Sequence, residues 1–270
     1  MRTDPTGPIA ILSALPDELN HLVVDRLAGD LERPEQISLA TEIAWRGTLG
    51  GHDVVVALSG MGKVAAALVA TSLIEMTRPR ALVFSGVAGG LDPALDVGDV
   101  VIAERVVQHD TGVLTDAGLQ HYQPSHLPFI NPTDDFGSAC DPALVALAVE
   151  AAGALQLDAL PTEAGGRGHP PQITTGVVAT GDVFVNGNAT RRRLFEELGA
   201  HVVEMEGGAV AQVADALGVP HLIVRAVADK ADDDGDFDFH QFTAHVALNS
   251  ARIVEHVAAA LRLDSDNSGD

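Results

Sequence analysis

The sequence predicts an α/β fold, a single domain built on a mixed, largely parallel sheet with helices covering both faces. Three observations carry that expectation. Short aliphatic runs alternate with amphipathic stretches along nearly the whole chain, no linker or internal repeat divides its 270 residues, and 46% of them are hydrophobic against 20% charged. Such a composition can bury a large aliphatic core and excludes disorder over most of the length.

The elements follow in order. Ile9-Ala10-Ile11-Leu12 is a strand ending at small residues, and Asp17 to Leu27 carries helical spacing through Leu19, Leu22, Val23 and Leu27. Residues 42–49 and 52–58 read as two strands joined by Gly50-Gly51, a hairpin signal. Lys63 to Met76 is helical, and Ala81-Leu82-Val83-Phe84 is a buried strand running into a glycine turn at Gly86-Val87-Ala88-Gly89-Gly90. Asp99 to Val107 is a strand and residues 142–152 an alanine-rich helix, while the Gly/Pro-punctuated stretch 161–171 reads as a surface loop. Ile173 to Ala179 is a strand, Arg191 to Leu198 a helix, Val202 to Met205 a strand and Gly207 to Leu217 a helix. His221 to Val227 is the last strand and Gln241 to Leu263 a long amphipathic helix. The domain is expected over residues 8–263, with frayed tails at 1–7 and 264–270.

Charge narrows the partners. With 38 Asp plus Glu against 16 Lys plus Arg the formal net charge is −22, and the one basic run, Arg191-Arg192-Arg193, is followed at once by Glu196-Glu197. A nucleic-acid partner, which needs a clustered basic surface, is excluded. No window approaches a membrane span and the N-terminus lacks the pattern of a signal peptide, so a cytoplasmic protein is expected. The single cysteine, Cys140, rules out an intrachain disulfide and reads as a buried spectator.

In open α/β sheets ligands bind beyond the carboxyl ends of strands. Those ends carry Asp17-Glu18, Ser85-Gly86, Gly181-Asp182-Val183-Phe184, Glu204-Met205-Glu206, and Arg225 with Asp229. Each acid alone has a structural explanation as a helix-turn or capping residue; together they point to a site. Apolar residues precede each of them, so partial burial and raised carboxyl pKa values are expected. No metal site or cofactor is expected, because the eleven histidines lack ligand spacing and there is no CxxC. There is no GxSxG elbow for acyl chemistry. Ser59-Gly60-Met61-Gly62-Lys63-Val64 fails the phosphate-loop spacing and reads as a strand-to-helix turn, and the acidic stretch 232–238 lacks the alternation of a calcium loop.

Longer blocks resemble a known family. IAILSALPDEL, LSGMGKVAAALVAT (58–71), FSGVAGGLDPALDVGDVVIA (84–103), ATGDVFVNG (179–187), VVEMEGGAVAQVA (202–214) and VPHLIVRAVADKAD (219–232) resemble the 5′-methylthioadenosine/S-adenosylhomocysteine nucleosidases of the nucleoside phosphorylase superfamily, from about residue 8 to 262. The resemblance implies a three-layer αβα sandwich, a homodimer, and cleavage of the N-glycosidic bond of adenine thionucleosides by water. It implies that Glu18 activates the water, that Asp229 is the general acid and that Glu206 holds the ribose hydroxyls. By the same resemblance Phe184 stacks on adenine, the backbone of Val185 reads its edge, Met205 lies under the ribose, and Arg225 supports the water and ribose side. Phe239 faces the ribose or the 5′-thio group, and Glu204 and Val87 complete the substrate-binding set.

Two positions depart from the family pattern: Ala228 and Val87 stand where serines are frequent. Two rival readings stay open, a phosphate-dependent purine nucleoside phosphorylase and a catalytically weak nucleoside-binding homologue. The first is disfavoured because the turn VFSGVAGG contains no arginine. Finally, residues 109–131 form a loop carrying Val113, Leu114, Leu119, Tyr122, Leu127, Phe129 and Ile130. So much apolar surface should be covered, and the resemblance implies that a second subunit covers it.

Overall fold

The computed structural model describes residues 4–14, 16, 19, 34–155, 157, 159–160, 169–231, 246, 249 and 251–261. The strands are β1 (Ile9–Ser13), β2 (Glu35–Ser38), β3 (Ile43–Leu49), β4 (His52–Leu58), β5 (Ala81–Gly90), β6 (Val100–Gln108), β7 (Gly112–Thr115), β8 (Gly118–His121), β9 (Ser138–Ala139), β10 (Ile173–Thr180), β11 (Ala200–Glu204) and β12 (His221–Asp229). Helices α1 (Lys63–Thr77), α2 (Pro142–Gly153), α3 (Asn188–Leu198) and α4 (Gly207–Leu217) alternate with them, and residues 251–260 are also helical.

The unbroken aliphatic run of β1 is buried along all five residues, as a strand covered on both faces requires. Its residues alternate between two cores. Ile9 and Ile11 join Val54, Val56 and Val83 under α2 and the helical residues 251–258. Ala10 and Leu12 join Val55, Ala57, Leu82 and Phe84 under α1 and α4. A smaller cluster of Val107, Ala179, Leu194 and Ala200 lies beneath α3.

The sheet runs β11-β10-β6-β12-β5-β1-β4-β3-β2. It is mixed, as expected, but parallel pairings do not predominate. The pairs β1–β4, β1–β5, β5–β12, β6–β10 and β10–β11 are parallel, whereas β2–β3, β3–β4, β6–β9, β6–β12 and β5–β11 are antiparallel. Reading each helix as a crossover between parallel neighbours overlooked the reversed β6 and the hairpin edges. The β3–β4 hairpin is present, with Gly50 and Gly51 at φ of 59° and 84°, the two positive values that a tight two-residue turn needs.

The stretch 86–90 is not a turn. β5 continues through Gly90, pairing Gly86 and Gly89 with Arg225 and Asp229 of β12, and Gly89 and Gly90 with Val203 and Val202 of β11. The glycines permit close approach rather than a reversal, since a Cβ on Gly89 would stand 2.8 Å from Asp229 Oδ1. Three features went unforeseen: the polar edge strand β2, the β7–β8 hairpin within the segment read as a loop, and the short strand β9. The expected helix from Asp17 to Leu27 lies outside the described residues except for the helical, buried Leu19, and so do residues 161–168 of the expected loop, the acidic stretch 232–238 and the tail 264–270. Among the described residues no helix is long and apolar enough to cross a membrane.

Candidate active site

Antiparallel closure of β11 onto the end of β5 gathers the last residues of several strands around one cavity. Gly86–Gly89 of β5 form one side, Val183, Phe184 and Val185 beyond β10 a second, and Val203–Glu206 at the end of β11 a third. Arg225 and Asp229 of β12 close it, with Ala14 after β1 and Met61 after β4 at the margin. Every described residue to which the resemblance gave a role lines this cavity: Val87, Phe184, Val185, Glu204, Met205, Glu206, Arg225 and Asp229. Glu18 and Phe239 lie outside the described residues.

Burial of the acids is nearly complete, with Glu204 and Glu206 each 6% exposed and Asp229 2%. Their surroundings differ. Glu204 Oε2 accepts hydrogen bonds from the amides of Glu206 (3.1 Å) and Gly207 (2.7 Å), and from Arg225 Nη2 (2.6 Å) and Nε (3.2 Å). Its Oε1 accepts from the Thr180 hydroxyl, which itself takes the Gly208 amide at 2.7 Å. Glu204 and Thr180 therefore satisfy the first amides of α4, which otherwise lack partners. This explains why Met205 and Glu206, the two residues before the helix, are held in place. Arg225, 1% exposed, also donates to the carbonyls of Phe84 and Val224 and stands 4.0 Å over the Phe84 ring.

Glu206 is the N-cap residue of α4, and its Oε1 accepts the Gly62 amide at 2.8 Å, tying it to the start of α1. Asp229, the last residue of β12, takes the Ala231 amide on Oδ1 at 2.7 Å. That amide belongs to an alanine held at φ 50°, a conformation that costs an L-residue energy and that marks the segment after Asp229 as constrained. Lys230 is anchored away from the cavity by Asp96 at 2.7 Å and by the Leu95 carbonyl. Phe184 and Val183 are 49% and 52% exposed and form the open wall of the cavity.

Sequence reasoning missed the supports. Thr180 and Gly62 carry no catalytic signature, yet they donate to Glu204 and Glu206. Lys63 and Asp110 carry none either, and they bond Asp182 beside Val183. Asp182, counted among the strand-end acids, does not line the cavity; its Oδ1 accepts the Lys63 amide at 2.7 Å. Asp110 receives Lys63 Nζ at 2.6 Å and the Asp182 amide at 2.8 Å. Burial works against its ionisation, but the Lys63 and Asp182 hydrogen bonds and the Lys63 charge hold it below the usual carboxylate range. Among the described residues no group of three or more His, Cys, Asp or Glu is placed to hold a metal ion.

The chain matches known proteins over most of its length. Residues 8–259 match the family model of the phosphorylase superfamily. The chain is similar to a 5′-methylthioadenosine/S-adenosylhomocysteine nucleosidase of Mycobacterium bovis, 44% identical over 246 residues that span 91% of this chain and 94% of that protein. The nucleosidase of Neisseria meningitidis, solved in complex with methylthio-immucillin-A, superposes with a TM-score of 0.77 at 30% identity, covering 94% of this chain and 100% of that one. A futalosine hydrolase of Helicobacter pylori does so with a TM-score of 0.77 at 28% identity, covering 93% and 97%. The chain thus belongs to the phosphorylase superfamily and, within it, to the 5′-methylthioadenosine/S-adenosylhomocysteine nucleosidase family.

Proposed function

We infer that this protein hydrolyses the N-glycosidic bond of adenine thionucleosides such as 5′-methylthioadenosine and S-adenosylhomocysteine, releasing adenine and the 5-thioribose. The observation that carries the choice of water over phosphate is the charge of the cavity. Among the described lining residues Arg225 is the only base, and it is committed to Glu204, while Glu206 and Asp229 add two further acids. A phosphate dianion would meet repulsion there. A ribosyl oxocarbenium ion, which is what breaking the bond creates, meets stabilisation.

The roles follow from the chemistry. Asp229, buried and oriented by the Ala231 amide, delivers a proton to N7 of the leaving adenine. Phe184 stacks on the base, and the backbone of Val185 reads its edge. Glu206 holds the ribose hydroxyls with Met205 beneath the ring, and Glu18 takes the proton of the water that adds to C1′. Glu204 serves through Arg225 and α4, since both its oxygens already accept protein donors. Val87 lines the cavity at a position where the family often carries a serine.

The helices on both faces of the sheet support a three-layer αβα sandwich. The exposure of Leu114, Phe129 and Ile130, 80%, 74% and 70% in the single chain, supports a two-fold homodimer that covers them. The cytoplasm suits a lone cysteine, Cys140, whose thiol burial pushes up to about 12. The test is incubation with each nucleoside in phosphate-free buffer. Free adenine and a free 5-substituted ribose are expected; ribose 1-phosphate as the main product, formed only when phosphate is added, would overturn the reading.

A further inference from the structure

The start of α1 is built unusually. Gly62 is its N-cap and offers no side chain, so the first amides go to acids from two distant segments: Gly62 N–H to Glu206 Oε1, and Lys63 N–H to Asp182 Oδ1. The side chain of Lys63 then reaches a third segment, at the end of β6, where Nζ donates to Asp110 Oδ1 at 2.6 Å and to Gln108 Oε1 at 3.2 Å. Asp110 Oδ2 accepts the Asp182 amide, which closes a ring: Lys63 side chain to Asp110, Asp110 to Asp182 backbone, Asp182 side chain to Lys63 backbone. Gln108 extends it to α4 through Gln212 Oε1 at 3.0 Å.

The side chains of Lys63, Gln108, Asp110 and Asp182 do not line the cavity, but two of the segments they tie together do. Asp182 directly precedes Val183, Phe184 and Val185, and Gly62 follows Met61. Lys63 and Asp110 are largely shielded, with side chains 18% and 24% exposed, so the pair loses less to solvent than a surface ion pair does. Val183 and Phe184 are half exposed, and Asp182, immediately before them, is tied to Lys63 and Asp110. We propose that Lys63, Asp110 and Asp182 form a positioning latch that fixes the Val183–Val185 wall against Glu206 and thereby sets how tightly the purine is held. The proposal rests on the reading of the cavity as an adenine-nucleoside site.

A positioning role predicts more than lost stability. Lys63→Met and Asp110→Asn each open the ring at one link while leaving every lining residue in place. Each should raise KM for 5′-methylthioadenosine about tenfold, with kcat changed far less, and weaken adenine binding by a similar factor in calorimetry, a coupling of the size expected for groups in one network. The double variant should be no worse than the poorer single one, because the ring is already open. Lys63→Arg, which keeps a charge able to pair with Asp110, should restore adenine affinity to within about threefold. A folded Lys63→Met or Asp110→Asn protein with unchanged adenine affinity overturns the latch. So does failure of both to fold, which would make the ring a folding element alone. Adenine calorimetry needs no turnover, so a wild-type protein that binds adenine but cleaves no nucleoside refutes the proposed reaction and leaves the latch to its own result.

Discussion

Replacing Arg225 by Met removes a guanidinium that is 1% exposed and leaves Glu204, 6% exposed, with its Oε2 short of two donors at 2.6 and 3.2 Å. Breaking one side of a buried ion pair typically costs about 3–5 kcal/mol, because the remaining charge stays desolvated. The contact of Arg225 with the Phe84 ring and its bonds to the Phe84 and Val224 carbonyls favour the upper part of that range. Glu204→Gln should cost less, since the amide oxygen can still accept from the α4 amides. The double variant should be more stable than the sum of the singles predicts, by about 1–3 kcal/mol, the sign of a coupled pair. Urea unfolding at fixed protein concentration measures all three. Additive effects, or a Met variant within about 1 kcal/mol of wild type, would refute the claim that the pair organises this corner of the cavity.

Three further outcomes are expected. Asp229→Asn keeps an oxygen for the Ala231 amide but cannot give up a proton, so turnover should fall by roughly 10²- to 10⁴-fold while an adenine ligand still binds; near-normal rates would remove Asp229 as the acid. Burial pushes the His109 and His221 pKa values down, against the pull of Asp110 on the first and Asp215 on the second. The unfolded chain then takes up these protons first, so stability is full above pH ~6.5 and is lost as pH falls through the lower native values. The urea midpoint should drop between pH 7.5 and pH 5.5, and by less in His221→Gln; a flat midpoint contradicts this. Last, the protein should elute at twice its chain mass, and Phe129→Ser with Leu127→Ser should weaken both dimerisation and turnover of 5′-thio substrates; a fully active monomer would show that no second subunit completes the site.

Most of the sheet was legible because its strands are apolar and short. β1, β4 and β12 read as buried runs, and Gly50-Gly51 marked a turn that only residues tolerant of positive φ can make. What periodicity could not express is direction. Nothing in the residues of β6 says that it pairs antiparallel with β12, nor that β11 bends onto Gly89 and Gly90. The stretch 86–90 misled for a physical reason: glycine marks turns, but it also marks places where two backbones or a backbone and a carboxylate must come close. Composition alone does not distinguish the two, while the 2.8 Å gap between a Gly89 Cβ and Asp229 does.

The site shows the same division. That acids gather beyond strand ends was readable from spacing, and long blocks of resemblance assigned their roles, but the neighbours that make those roles possible were not readable. Glu204, Glu206 and Asp229 look alike in the sequence, and all three are buried. Their surroundings differ: Glu204 takes Arg225, Thr180 and two amides at the start of α4, Glu206 accepts the Gly62 amide before α1, and Asp229 accepts the Ala231 amide. Those partners come from positions up to 144 residues away along the chain. A carboxylate whose two oxygens both accept protein donors, as in Glu204, serves as a fixed counter-charge to Arg225. Long-range closure of the sheet, rather than residue type, is therefore what gives three similar acids different surroundings.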